Sequence, residues 1–309
     1  MKLAVLDADT FGKTDISAFE RFGEVSVYRT TAPEQTLERI ENADVIVTNK
    51  VVITKEMMHT CKNLKLICVA ATGMNNVDLE AAAQLNIAVK NVAGYSTHSV
   101  IQHTFSMLFY LVGSSRYFDE YVKKGSWQKS PIFTNLEREF FELRGKKWGI
   151  IGLGEIGRGV AAIASAFGSE VWYYSTSGKN ENAQYRKIGL SALLESCDII
   201  SIHAPLNSST KGLISQSELL QLKEGAILLN LGRGGIVDEA ALARIIDVKD
   251  IKVGLDVLEI EPMKANHPLE HVKNSEALYI TPHIAWASVE ARDVLVAKIA
   301  ENIQTFIDN

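Results

Sequence analysis

The run Lys147-Trp-Gly-Ile-Ile-Gly152-Leu-Gly154-Glu-Ile-Gly157 constrains this chain more than any other. A short apolar stretch leads straight into G-x-G-x-x-G, and an apolar pattern of helical period follows. Three glycines at that spacing do three jobs. Gly152 allows a tight turn out of the strand, Gly154 lets the backbone come close to a pyrophosphate, and Gly157 lets the helix pack tightly on the strand. The N–H groups and dipole at the start of the helix, at Glu155 and Ile156, then favour phosphate charge. A strand expected at Glu170–Tyr174 completes a β-α-β unit. Such a unit implies a parallel sheet covered by helices on both faces.

The same alternation runs along most of the chain. Lys2–Leu6, Glu24–Tyr28, Asp44–Thr48, Leu66–Ala70 and Ala88–Lys90 read as buried strands, with helical spacing at Pro33–Ile40, Lys55–Cys61 and Leu79–Leu85. A long helical pattern covers Ser96–Tyr121, and an irregular stretch, Lys123–Leu143, comes after it. A second strand series follows at Lys147–Ile151, Glu170–Tyr174, Asp198–His203, Ala226–Asn230, Lys252–Val257 and Leu278–Thr281, and Ser288–Ile307 is helical by period. The expected fold class is α/β with two doubly wound parallel-sheet domains. A length of 309 residues suits two domains.

Composition narrows the partners. A net charge of −5 supplies no basic field for nucleic acid or anionic lipid. No apolar run reaches the ~18 residues of a membrane span. Cys61, Cys68 and Cys197 have neither the number nor the spacing of a disulfide framework or a zinc site, and no metal is expected. The opening MKLAVLD enters a strand pattern without a signal-peptide pattern, so a cytoplasmic location is the expectation.

The acid that ordinarily closes the second strand of a dinucleotide unit and binds the adenosine ribose is missing. Ser175-Thr176-Ser177-Gly178-Lys179 stands there instead. Hydroxyls and a lysine can accept a 2′-phosphate, so NAD and NADP both stay open as the coenzyme. Further on, three segments put charged groups at the C-terminal ends of expected strands, where open α/β sheets bind ligands. Asn230-Leu-Gly-Arg233-Gly-Gly offers a guanidinium fork suited to a carboxylate. Gly254-Leu-Asp256-Val-Leu-Glu259-Ile-Glu261-Pro262 offers acids, and Thr281-Pro282-His283 an imidazole. Hydride transfer to a keto carbon leaves an alkoxide that needs a proton, and histidine is the usual donor near neutral pH.

Together these segments, with His203-Ala-Pro205 and the stretch Asn230–Leu242, resemble the D-isomer-specific 2-hydroxyacid dehydrogenase family over nearly the whole chain. Ala71-Thr72-Gly73-Met-Asn-Asn-Val-Asp78 and His283-Ile-Ala-Trp286-Ala look most like its glycerate dehydrogenase/hydroxypyruvate reductase members. The resemblance implies a Rossmann coenzyme domain, residues 98–284, inserted in a flavodoxin-like substrate domain of residues 1–97 and 285–309. It implies an oxidoreductase passing a hydride between NAD(P)H and a small 2-keto acid, of the hydroxypyruvate/glycerate or glyoxylate/glycolate type. Arg233 would hold the substrate carboxylate, His283 would be the acid–base group, and Glu261 its partner with Glu259 as competitor. Thr72, Gly73 and Lys50 would meet the substrate, while His203, Pro205, Asn230, Leu231 and Asp256 would lie on the coenzyme side. A homodimer through the irregular stretch is also implied. Ser175 departs from the family pattern, as does Gln102, where Glu is usual. Two other readings remain open: a nucleotide-sensing corepressor, and a formate dehydrogenase, whose pattern pairs the histidine with Gln rather than Glu.

Overall fold

In the computed structural model, which describes residues 1–179 and 181–309, the chain divides into two compact units. The first comprises Met1–Ser96 and Ala287–Asn309, and the second Thr97–Trp286.

In the first unit the elements run β1 (Lys2–Val5), β2 (Glu24–Val27), α1 (Pro33–Ile40), β3 (Val45–Thr48), α2 (Lys55–Thr60), β4 (Leu66–Val69), α3 (Leu79–Gln84) and β5 (Ala88–Lys90). The strands form an all-parallel sheet in the order β2-β1-β3-β4-β5, the flavodoxin-like order. Strands β3 and β4 are buried along their whole length. This is why they read as unbroken apolar runs rather than as alternating patterns. The core gathers Leu6, Ile46, Ile53, Ile67 and Val69.

The second unit begins with α4 (Thr97–Val112) and α5 (Ser115–Lys123). Sequence periodicity ran through both as one helix, but the structure breaks it at Gly113–Ser114, where Ser114 takes the left-handed conformation at φ 44. The ammonium of Lys252 donates to the Leu111 carbonyl at the end of α4, 2.8 Å away, placing a cation at the negative end of the helix. The sheet elements then follow: β6 (Lys147–Ile151), α6 (Glu155–Ala166), β7 (Glu170–Tyr174), β8 (Arg186–Lys187), α7 (Leu190–Ser196), β9 (Ile199–Ile202), α8 (Gln216–Gln221), β10 (Ala226–Asn230), α9 (Glu239–Ile245), β11 (Ile251–Leu255) and β12 (Leu278–Ile280). The last helix, α10 (Val289–Asp308), belongs to the first unit, where it packs on β4.

The second sheet is also parallel throughout, in the order β12-β11-β10-β9-β6-β7-β8. Counted from β6, this is the Rossmann order, with strand direction of travel reversing between β6 and β9. Inside that junction the buried Trp148 indole donates to Ser201 Oγ across 2.9 Å, tying the two strands together. One face of the sheet is covered by α4 and α6 through Phe105, Leu108, Val160 and Ala164. The other is covered by α7, α8 and α9 through Leu193, Leu219 and Leu242. Strand β8, only two residues of Arg and Lys, carries no apolar signal and was not expected from the sequence. Among the described residues, no helix is long and apolar enough to cross a membrane.

Candidate active site

The glycine turn lies at the reversal point of the second sheet. Gly152 has φ +93, and a Cβ there would come within 2.9 Å of Ala204 N, so both the backbone angle and the neighbouring strand demand glycine. A Cβ on Gly157 would meet the Gly152 carbonyl oxygen at 2.3 Å, which is how closely α6 lies on the turn. Gly154, the residue before α6, differs: a Cβ there would touch nothing within 4 Å. The space over Gly154, Glu155 and Ile156 is open at the end of a twelve-residue helix, a fit for the pyrophosphate of a dinucleotide. The turn is tied to the next strand by Gly152 N, which donates to Tyr174 O. Ser175 follows that strand and is buried, and Thr176 is half-buried.

On the far side of the junction, β9 ends at His203-Ala204-Pro205. Both ring nitrogens of His203 are buried with no hydrogen-bond partner among the described residues. Burial pushes this imidazole down to about 3, so it is neutral. Buried polar nitrogens are nearly always satisfied in a native protein. An orphan pair beside the glycine turn is therefore a second observation that fits an absent polar ligand. Thr210 Oγ1 donates to Pro205 O, holding the exposed proline at the rim.

Strand β10 delivers Arg233. The side chain of Asn230 is buried and fully used in shaping the turn: Nδ2 donates to Arg233 O at 3.0 Å, and Oδ1 accepts from Gly232 N at 3.1 Å. Leu231 is buried beside it. Gly234 presses against the next loop so closely that a Cβ would lie 1.9 Å from Leu258 O. The exposed guanidinium of Arg233 bonds only its neighbour, Gly232 O, and has no carboxylate partner among the described residues.

That neighbouring loop follows β11. Glu261 Oε1 accepts from Leu258 N at 3.0 Å, and Glu261 Oε2 lies 2.6 Å from His283 Nδ1. A carboxylate only accepts, so Nδ1 carries the hydrogen and Nε2 is left free for exchange of a proton. Glu259 does not reach the imidazole; its carboxylate lies near Gly235, and its backbone N–H donates to Glu239. The resemblance left two acids competing for the role, and the geometry pairs the histidine with Glu261.

The backbone at His283 is left-handed, φ +53, and Asp256 holds it there. The Asp256 carboxylate, 1% exposed, accepts from Thr281 Oγ1 (2.6 Å), Ile284 N (2.9 Å) and Ala285 N (3.0 Å), while its carbonyl accepts from His283 N (2.9 Å). His103, on α4, adds its Nε2 at 3.1 Å from Thr281 Oγ1 and 3.7 Å from Asp256 Oδ1. The carboxylate of Asp256 is thus held by three donors of the β12 turn. Sequence reasoning missed Thr281 and His103 as site residues; the only hint of the first was its place two residues before His283.

In the first unit, Thr72 and Gly73 follow β4. Thr72 Oγ1 donates to Val92 O, and Asn91 Nδ2 donates to Thr72 O. Lys50 follows β3; its backbone N–H donates to the Asp7 carboxylate at 2.6 Å, and its side chain is exposed. Burial raises Asp7 above the usual carboxylate range, opposed by the N–H groups of Lys50 and Asn49.

A dinucleotide cradle with a tethered imidazole and an uncommitted guanidinium on the adjoining strand ends defines a class: nucleotide-dependent oxidoreductases that move a proton alongside a hydride. Comparison with known proteins carries this further. Residues 105–285 match the D-isomer specific 2-hydroxyacid dehydrogenase, NAD binding domain. The chain is 34% identical to hydroxypyruvate reductase of Blautia hydrogenotrophica, over 99% of this chain and 97% of that one. It is 33% identical to glycerate dehydrogenase of Methylorubrum extorquens, over 99% and 96%. Among solved structures it is similar to the acyclic imino acid reductase Bsp5 in complex with NADPH and D-Arg, with TM-score 0.87, 28% identity, and 100% and 97% of the two chains covered. The chain belongs to the D-isomer specific 2-hydroxyacid dehydrogenase family. It is an oxidoreductase acting between a small 2-keto acid and its D-2-hydroxy acid with NAD or NADP as coenzyme.

Proposed function

We propose that the chain reduces a small 2-keto acid of the hydroxypyruvate or glyoxylate type, with Arg233, Glu261 and His283 as its catalytic residues. The observation that carries this reading is the 2.6 Å contact between His283 Nδ1 and Glu261, which leaves Nε2 of a partly exposed ring for proton transfer. The similarity to a hydroxypyruvate reductase and a glycerate dehydrogenase supports the substrate class.

The nicotinamide coenzyme supplies the hydride that the keto carbon receives. Gly152, Gly154 and Gly157, with the N–H groups of Glu155 and Ile156, would hold its pyrophosphate; Ser175, Thr176, His203, Pro205, Asn230 and Leu231 line the same strand ends. Arg233 binds the substrate carboxylate through its planar fork and draws charge from the keto oxygen. His283 delivers the proton from Nε2 to that oxygen as hydride arrives. Glu261 fixes the tautomer and ring orientation. Asp256 acts on His283 through the turn, as a positioning residue. The first unit is the substrate unit in this reading, with Lys50, Thr72 and Gly73 as its substrate-binding residues. The enzyme works in the cytoplasm as a homodimer, in which the irregular stretch from Lys123 to Leu143 covers a partner copy.

A panel of keto acids assayed with both reduced coenzymes tests the activity, and His283→Ala tests the site. Turnover should drop by about 10²–10⁴-fold, with coenzyme affinity retained. Wild-type turnover in that variant would remove His283 from the mechanism.

A further inference from the structure

In a dinucleotide-binding sheet, an acid closing the second strand hydrogen-bonds the adenosine 2′-hydroxyl and repels a 2′-phosphate. Here that position is without negative charge. Strand β7 closes on Tyr174, and three hydroxyl residues follow it, Ser175, Thr176 and Ser177. The loop is wound tightly: Gly178 N donates to Ser175 O, and Lys179 N donates to Ser177 Oγ. Ser175 is buried under this turn, while Ser177 and Lys179 are exposed. A Cβ at Gly178 would meet no atom within 4 Å, so the loop surface is open.

The charges around the loop favour an anion. Lys179 has no acidic partner among the described residues. The first acid downstream, Glu181, is already neutralised by Lys187 Nζ at 2.5 Å, and the same ammonium donates to Gly178 O at 3.1 Å. A phosphate monoester carries a charge between −1 and −2 near neutral pH and needs several donors. Hydroxyls and an ammonium supply them, and the nearby acid, Glu181, is already paired with Lys187.

We infer that this chain selects the 2′-phosphorylated coenzyme, NADPH over NADH, with Thr176, Ser177 and Lys179 receiving the 2′-phosphate. The inference rests on the coenzyme site described above. It also adds to that site, because selectivity here comes as much from the missing acid as from the donors present.

Calorimetric titration of the enzyme with 2′,5′-ADP and with 5′-AMP isolates the 2′-phosphate, the single difference between these probes. Binding of 2′,5′-ADP should be tighter by about tenfold or more, the effect of one or two charge-assisted hydrogen bonds, and the advantage should shrink as salt rises. Lys179→Gln should cost 2′,5′-ADP severalfold and leave 5′-AMP unchanged. Ser175→Asp should invert the preference. Because a carboxylate at this buried position can unfold the loop, Thr176→Asp at the more open neighbour provides the same test, with circular dichroism to confirm the fold. Equal affinities, or a preference for 5′-AMP, would overturn the inference and leave the dinucleotide site standing. Binding of neither probe would instead remove the site itself.

Discussion

At His283 the backbone and the side chain are held by different acids. Asp256 fixes the left-handed turn through backbone N–H groups, and Glu261 fixes the ring through Nδ1. Substituting each acid should therefore give distinct failures. Glu261→Gln keeps the shape of the side chain but removes the charge that stabilises an imidazolium, and it can select the wrong tautomer. Turnover should fall by roughly 10²–10⁴-fold with little change in melting temperature, and steady-state kinetics beside a thermal melt checks both halves. His203 carries a prediction about stability. Its folded ring titrates at about 3 against 6.5 for a free one, so below about pH 6.5 the unfolded chain takes up a proton that the folded protein refuses. Unfolding then gains as pH falls, by about 1.4 kcal/mol per pH unit until the folded value is reached. The stabilisation is complete above pH 6.5 and is lost towards pH 3. Between pH 7 and pH 5 the wild type should lose about 2 kcal/mol more stability than His203→Gln. Urea unfolding without coenzyme measures it, and parallel losses in the two proteins would show that the ring is not sealed.

Among elements, the turn between β12 and the Ala287 boundary shows best why part of the site could not be read from sequence. Gly152, Gly154 and Gly157 are legible because their work is local: a turn, an open approach and a close packing, all within six residues. Arg233 and His283 were legible as charges at the ends of apolar runs. Thr281 and His103 were not, because they matter only through Asp256, a partner 25 residues from one and 153 from the other along the chain. The fold shows the same divide. Strands buried on both faces announce themselves as apolar runs, whereas the Arg186–Lys187 strand has no apolar residue and pairs through its backbone and through Arg186 stacked over the Trp172 ring. The pattern from Ser96 to Tyr121 kept its period across Gly113–Ser114, so the helix break there left no trace in hydrophobicity. Two outcomes follow at this scale. Thr281→Val removes a donor from a buried carboxylate, costing about 1–3 kcal/mol, and it should lower turnover without weakening coenzyme binding. Thr281→Ser, which keeps the hydroxyl, should restore most of both. Ser114→Gly relieves a left-handed non-glycine residue, and the gain should be at most about 1 kcal/mol because glycine also loosens the unfolded chain. A shift of the urea midpoint reads it.

At the scale of the molecule, the second unit carries an apolar surface that its core does not explain. The central strands of both sheets are buried, yet in the second unit Trp127, Ile132, Phe133, Leu136 and Phe140 are exposed, Phe133 by 89% and Leu136 by 76%. The same unit holds a groove of about 430 Å³ lined by Phe109, Val112, Phe140, Phe141, Leu143 and Phe167. Isolated exposed apolar residues are ordinary, but an apolar cluster of this kind within one short stretch is characteristic of an interface. In the function proposed above, a second copy of the chain covers this surface. Light scattering should then report twice the chain mass of 34.0 kDa at micromolar concentration, and the melting temperature should rise with concentration, as expected when association stabilises the fold. Replacing Phe133 and Leu136 together by Asp should halve the mass and remove the concentration dependence, because two carboxylates cannot be buried unpaired against a partner. The fold should survive, since neither side chain belongs to a core cluster. A wild-type protein that scatters as a single chain would show that this surface serves something other than self-association.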